Sequence, residues 1–128
     1  MDILAIDPGQ SIGIAVKIAG SYNTCTLREA KDLYALILSH NWGVVVYEKF
    51  ISSGMISKFG LYTIELVGAI QALCTEHNIN CCMHTPIMRK TFQQDAKAKA
   101  SSKVDHEVDA MAHLLKWEYD NMAQKEIP

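Results

Sequence analysis

The chain has 128 residues, of which 49% are hydrophobic, and its 12 Lys and Arg against 14 Asp and Glu give a formal net charge of −2. This size and composition predict a single folded domain, residues 1–128, and exclude an intrinsically disordered chain. No apolar stretch reaches the ~18 residues of a membrane span and no secretory signal is recognised, so we expect a cytoplasmic protein. The charge by itself does not indicate nucleic-acid binding, for which a basic surplus is usual.

The first part of the chain predicts three consecutive strands. Residues 2–6, DILAI, predict a short buried strand, and the Asp-Pro-Gly sequence that begins at Asp7 predicts a turn. Residues 12–19 and 22–27 predict a second and a third strand, joined by a tight turn at residues 20–21. We expect these three strands to form an antiparallel meander.

The rest of the chain alternates between helical and strand patterns. Apolar residues recur at helical spacing in three segments, and two strand-like runs lie between them. The predicted elements are a helix over 28–39, a strand over 43–48, a helix over 55–76, a strand over 80–86 and a helix over 103–119. The order β-β-β-α-β-α-β-α predicts an α/β fold, a mixed sheet flanked by helices.

Three carboxylates lie where packing alone would favour other residues. Asp7 ends the first strand, Glu48 ends the fourth, and Asp109 lies among apolar residues of the last helix. A crossover connection would make the first and fourth strands neighbours, so that Asp7 and Glu48 lie side by side and repel unless a cation separates them. Oxygen ligands of this kind suit Mg²⁺ or Mn²⁺. His106 and Asp105 lie three and four residues before Asp109, so either shares its helix face.

Each of these residues also has an ordinary structural explanation. Asp7 suits a turn, and Glu48 at a strand end is satisfied by water. His106 and Asp109 are compatible with a solvated first turn of a helix, where acidic residues are favourable. The occurrence of all four in this order favours the metal-site interpretation.

The cysteines and the basic residues offer two further interpretations. Cys81 and Cys82 lack the paired spacing of zinc ligands, so reduced, packed cysteines are expected instead. Residues 89–103 carry five basic side chains and one acid, which predicts either a DNA-contacting loop that becomes ordered on its substrate or a solvated charged loop. The basic residues of this segment are Arg89, Lys90, Lys97, Lys99 and Lys103.

The stretches ILAIDPGQSIGIAV, VVVYEKF and DHEVDAMAHLL together resemble the RuvC-like Holliday junction resolvases of the ribonuclease-H-like superfamily, in particular their short phage-type members. The resemblance covers residues 1–117. It implies a five-stranded mixed sheet in the order 3-2-1-4-5 with helices on both faces. It also implies homodimers, in contact through the helix over 55–76, that cut four-way DNA junctions by paired nicks in recombination and repair.

The resemblance further implies the site residues. Asp7, Glu48, His106 and Asp109 would form the catalytic and metal-binding quartet around two Mg²⁺ or Mn²⁺ ions, with Asp105 as the alternative to His106. Asp7 would bridge the ions, and an imidazole ligand would favour manganese. The resemblance extends the candidate DNA contacts to Lys49 and Phe50, and Phe50 occupies about the place of the family's aromatic wedge.

Three other functions fit parts of the sequence. The same start occurs in ribonuclease-H-like nucleases that act on flaps, Y-junctions or RNA-containing substrates. A sugar-kinase-like or chaperone-like phosphate binder would need a duplicated domain and a second glycine-rich loop, for which 128 residues leave no room. A non-catalytic DNA-binding module would keep the fold but would have no use for the quartet.

Overall fold

Five strands and four α-helices make up the part of the chain that the computed structural model describes, residues 1–51 and 56–122 apart from the side chain of Ile87. The strands are β1 (Ile3–Asp7), β2 (Ile12–Ile18), β3 (Ser21–Leu27), β4 (Val44–Glu48) and β5 (Cys81–His84). The helices are α1 (Ala30–Leu38), α2 (Lys58–Glu76), α3 (Gln93–Lys99) and α4 (Asp105–Asn121), with a 3₁₀ helix at Pro86–Phe92. No helix within these described ranges is both long and apolar enough to cross a membrane.

The strands form one mixed sheet in the order β3-β2-β1-β4-β5. β2 pairs antiparallel with both β1 and β3, whereas β4 pairs parallel with both β1 and β5. Short turns suffice for the antiparallel meander, and α1 and α2 supply the crossovers that parallel neighbours need. The predicted α/β fold and its strand order 3-2-1-4-5 are confirmed.

Each face of the sheet is covered by helices. Leu4 and Ile6 of β1 pack in a cluster with residues of α1 and α2. Ile3 and Ala5 point to the other face and pack with residues of α3 and α4. Because side chains alternate along a strand, Asp7 lies on the same face as Ile3 and Ala5, beneath α4.

One row of residues crosses all five strands on the α4 face, at the carboxyl end of β1. The register aligns Thr26 with Gly13, Gly13 with Asp7, and Glu48 with His84. The pairing of Ile6 with Tyr47 places the next residues along each strand, Asp7 and Glu48, side by side. The cross-sheet row therefore consists of Thr26, Gly13, Asp7, Glu48 and His84.

The start of α4 lies directly on the row at Gly13. A Cβ added to Gly13 would stand 1.9 Å from the main-chain oxygen of His106 and 2.4 Å from its carbonyl carbon. Only a residue without a side chain allows the helix backbone to approach this closely. Gly13 thus fixes the height of α4 above the sheet.

Two predictions about chain segments need correction. The second helix begins at Lys58, capped by the Ser57 side chain, and not at residue 55, which lies outside the described residues. The lysine-rich segment is not a loop, since residues 86–92 form the 3₁₀ helix and residues 93–99 form α3. Ala96 is fully buried in the cluster under α4. Glutamine, alanine and lysine are good helix formers, and burial of Ala96 stabilises the helix that they form.

The adjacent cysteines point to opposite faces of the sheet. Cys81 packs against the cluster under α1 and α2, whereas Cys82 packs against the cluster under α4. Alternation along β5 therefore separates two thiols that a zinc site would have to bring together. Cys25 departs from the expected packing, since it is exposed on β3.

We predict that Gly13→Ala destabilises the protein by about 1–3 kcal/mol, because the new methyl group forces α4 away from the row. The free energy of unfolding, measured by urea denaturation, tests this. Gly9→Ala is the matched control, since its Cβ would lie 3.5 Å from the nearest atom, an ordinary contact. Equal stabilities of the two variants would contradict the proposed packing constraint.

Candidate active site

The three predicted carboxylates meet on the α4 face of the sheet. Asp7 and Glu48 are neighbours in the cross-sheet row, and Asp109 comes from the second turn of α4. The guanidinium of Arg89 joins two of them: its Nη1 lies 2.7 Å and 2.8 Å from the oxygens of Glu48, and its Nε lies 3.3 Å from Asp109 Oδ1. Gln93 Nε2 donates a hydrogen bond to Asp109 Oδ1 at 2.8 Å.

Asp7 is the most perturbed of the three acids. Burial, followed by the negative charges of Glu48 and Asp109, raises the pKa of Asp7 to about 8, against a smaller opposing effect of Arg89. A carboxyl group in this situation holds its proton at neutral pH until a cation enters. After burial, the charges of Glu48 and Asp109 contribute to this shift, in agreement with the placement of the three carboxylates in one site.

Glu48 is held in its ionised form. Burial alone would raise the pKa of Glu48, but the hydrogen bonds from His113 and Arg89 and the charge of Arg89 outweigh it, so the pKa lies below its ordinary value. His113 Nε2 lies 2.8 Å from Glu48 Oε2. His113 is in turn 3.1 Å, Nδ1 to Nδ1, from His84, the residue that ends the row on β5.

His106 lies at the other end of the row, beside β3. Its Nε2 is 2.8 Å from Thr26 Oγ1, and Thr26 donates its one hydroxyl hydrogen to Glu107 Oε2 at 2.6 Å. Because the hydroxyl hydrogen is used there, the ring must donate to Thr26, and Nδ1 is left as the ring nitrogen able to accept. The contact with Thr26 does not bring His106 to the carboxylates, and its role as a ligand stays a prediction.

The remaining predicted residues surround this centre. Asp105 is the exposed first residue of α4, whereas His106 is half-buried. Lys49 is exposed and Phe50 half-buried, and both line a cleft beside Glu48 together with Pro8. The exposed lysines of the segment that carries Arg89 are Lys90, Lys97, Lys99 and Lys103.

The donor set fits Mg²⁺ or Mn²⁺. Within the described ranges, no three His, Cys, Asp or Glu side chains form a preassembled metal cage, since Arg89 holds Glu48 and Asp109 on its own nitrogen atoms. Carboxylate oxygens are nevertheless the ligands that these ions prefer, and the repulsion around Asp7 is what a divalent cation relieves. These residues would hold such an ion once Arg89 moves aside.

The residues that support the carboxylates were not predicted from the sequence. Arg89 was predicted only as a DNA contact, and Gln93, Thr26 and Glu107 received no role. His113 had a detectable signal, because it follows Asp109 by four residues and so shares its helix face. His84 had another, because it ends a predicted parallel strand just as Glu48 does.

The architecture is that of the ribonuclease-H-like fold as found in RuvC-like junction resolvases. The chain is similar to the RuvC of Thermus thermophilus in complex with a Holliday junction substrate, with a TM-score of 0.75 and 12% identity over 98% of this chain and 96% of that chain. It is also similar to the fowlpox virus Holliday junction resolvase, with a TM-score of 0.55 and 14% identity over 97% of this chain and 99% of that chain. No protein-family model and no curated protein matches it.

We predict that Asp7→Asn stabilises the metal-free protein increasingly between about pH 4 and pH 8. The raised pKa of Asp7 means that the folded state binds a proton that the unfolded state has released, so the stability of the wild type falls as the pH rises through this interval. The difference in unfolding free energy should grow by up to roughly 1 kcal/mol per pH unit and level off above pH 8. Thermal unfolding in EDTA measures it. If the difference in unfolding free energy between Asp7→Asn and the wild type does not vary with pH, the raised pKa of Asp7 is wrong.

Proposed function

We propose that this chain is a metal-dependent endonuclease that resolves four-way DNA junctions by paired nicks. The observation that carries the proposal is the convergence of Asp7, Glu48 and Asp109, which are far apart in sequence, on one position beneath α4. Burial and the negative charges of the other two acids raise the pKa of Asp7 to about 8, an arrangement that a purely structural role would not require. The whole chain, residues 1–128, would form the nuclease domain. It would act on DNA in the cytoplasm of a bacterium or of a phage-infected host cell.

The ligands would be Asp7, Glu48 and Asp109, with His106 through its Nδ1. Two divalent cations held by such a set supply Lewis-acid activation of water and stabilisation of charge on a phosphodiester. Asp7, which neighbours Glu48 on the sheet and is affected by the charges of both other acids, would be a ligand common to both ions. The hydrogen bonds from His106 to Thr26 and from Thr26 to Glu107 orient the imidazole as ligand-supporting networks do.

Arg89 has a role that changes with the state of the site. In the free protein it neutralises Glu48 and Asp109. An arginine fork also matches the oxygens of a phosphate group. We expect Arg89 to exchange the carboxylates for the DNA backbone when the site is loaded, so that the same side chain first balances the acids and then holds the substrate.

The basic segment follows the site across the sheet. Arg89 contacts Glu48 near one edge, and Gln93 contacts Asp109 near the centre. Ser101 exchanges hydrogen bonds of 2.8 Å and 2.9 Å with Thr24 of β3 near the other edge. Lys90, Lys97 and Lys99 are exposed on the segment between these anchors, from which they would bind the DNA backbone and offset the acidic charge. Lys49 and Phe50 would contact DNA on the opposite side of Glu48.

The homodimer would form through α2. Leu61 and Ile64 are 53% and 40% exposed on one side of this helix, which is unusual for large apolar side chains in adjacent turns. Gly68 continues the same side, and no atom lies within 4 Å of a Cβ placed there. A second α2 packing here would bury this surface, and two active sites related by symmetry suit two nicks in opposite strands.

Cleavage of synthetic DNA tests the proposed activity. We expect symmetric nicking of a four-way junction with Mg²⁺ or Mn²⁺ and none with EDTA. Asp7→Asn, Glu48→Gln and Asp109→Asn should each reduce the rate by more than about 100-fold while junction binding remains. Asp32→Asn, on an exposed residue of α1, is the control and should cleave normally.

The same assay separates the alternatives by substrate. Preferred cleavage of flaps, Y-junctions or RNA–DNA hybrids over four-way junctions would replace the resolvase by a broader nuclease. Binding of a junction without nicking under any of these metal conditions would leave only a non-catalytic DNA-binding module.

We predict that Leu61→Glu combined with Ile64→Glu converts the dimer into a monomer, because four charges would be buried in a symmetric contact. Light scattering coupled to size-exclusion chromatography measures the mass. Leu38→Glu, which changes a residue 49% exposed on α1, is the matched control and should remain dimeric. A monomeric wild type, or dimers in all three proteins, would contradict the α2 interface.

A further inference from the structure

Two buried histidines extend the site beneath Glu48. His113, on α4, is fully buried, and His84, at the end of β5, is 4% exposed. His113 Nε2 lies 2.8 Å from Glu48 Oε2, and the two Nδ1 atoms of the histidines lie 3.1 Å apart. The three side chains therefore form one continuous hydrogen-bonded chain from the site into the interior.

The acceptors along this chain determine which nitrogen atoms carry hydrogen. Glu48 is ionised and only accepts, so His113 must donate through Nε2. A neutral His113 then accepts at Nδ1, and His84 must donate through its own Nδ1. An uncharged pair satisfies both hydrogen bonds in this arrangement alone. His84 thus donates to His113, and His113 donates to Glu48.

The position of the pair matters because, among the described residues, only Arg89 and His113 form side-chain hydrogen bonds with Glu48. Its carboxylate is held on one side by Arg89 and on the other by His113. Arg89 comes from the 3₁₀ helix on the solvent side and has to leave when cations bind. His113 sits on the face of α4 that also carries Asp109, four residues earlier, so it connects two ligands through one rigid helix.

We propose that His113 is a positioning residue for the metal site: supported by His84, it fixes the Glu48 carboxylate relative to Asp7 and Asp109 when Arg89 is displaced. The inference rests on the proposed function, since it concerns how the same carboxylates bind divalent cations. According to this inference, the two buried histidines contribute to metal binding. Histidines that only packed in the core would not affect it.

Calorimetric titration of the full-length, DNA-free protein with Mn²⁺ tests the role apart from activity. His113→Leu removes the donor and should weaken Mn²⁺ binding by about 10- to 100-fold. His113→Gln places an amide N–H donor near the former Nε2 and should recover most of the affinity. His84→Leu should weaken binding less than His113→Leu, and His84→Asn, which keeps a donor near Nδ1, should recover it.

The control is His40→Leu. His40 Nε2 lies 2.6 Å from Asp2 Oδ2, next to the start of β1 and far from the cross-sheet row. Loss of the His40 ring should therefore leave the Mn²⁺ affinity unchanged. If His113→Leu binds Mn²⁺ as tightly as a wild type that cleaves DNA, the positioning role is wrong and the proposed function stands. If the wild type neither binds Mn²⁺ nor cleaves any branched substrate, the proposed function fails and this inference with it.

A second measurement uses the wild type alone and does not depend on the variants folding. Long-range ¹H–¹⁵N spectra of the metal-free protein report which ring nitrogen carries hydrogen. We expect hydrogen on Nε2 of His113 and on Nδ1 of His84. Hydrogen on Nδ1 of His113 with a bare Nε2 would overturn the proposal, because that ring could not donate to Glu48.

Discussion

The register of the sheet is the constraint on which the rest of the structure depends. Because side chains alternate along each strand, a shift of one residue in β1 or β4 would turn Asp7 or Glu48 to the α1 and α2 face, away from Asp109. The apolar residues before them, buried on both faces, prevent that shift. The hydrophobic core thus determines the position of the acids, and Gly13 then lets α4 approach closely enough to add the third.

The carboxylates of Asp7, Glu48 and Asp109 would repel one another strongly without the side chains that surround them. Arg89 and His113 share Glu48, while Gln93 and Arg89 share Asp109, so two of the three carboxylates have hydrogen-bonded partners. Among the described residues no side chain is hydrogen-bonded to Asp7, and burial with the nearby negative charges raises its pKa to about 8, so that it holds a proton at neutral pH. A divalent cation that binds Asp7 has to displace this proton, so metal binding should strengthen as the pH rises towards 8.

The order of the elements and the adjacency of β1 and β4, which brings Asp7 beside Glu48, could be predicted from local patterns and a crossover rule. The full strand order followed from the family resemblance. The short apolar run of β1, buried on both faces, and the uninterrupted apolar run of β4 indicated their positions directly. The α3 helix was missed because its sequence has only one buried residue, Ala96, too few to produce a helical hydrophobic period. Arg89, Thr26 and the histidine pair were missed because their partners are non-local contacts, which no single segment encodes.

The cross-sheet row also bears on how far such a chain can diverge. Only the row, the approach of α4 over a glycine and the volume of two apolar clusters need to be preserved, and many combinations of Ile, Val, Leu and Ala satisfy the clusters. Mutation can therefore replace most of the chain in small, individually tolerated steps. A lineage following that course would lose every recognisable similarity in its amino acids long before it lost the spatial arrangement of its acids.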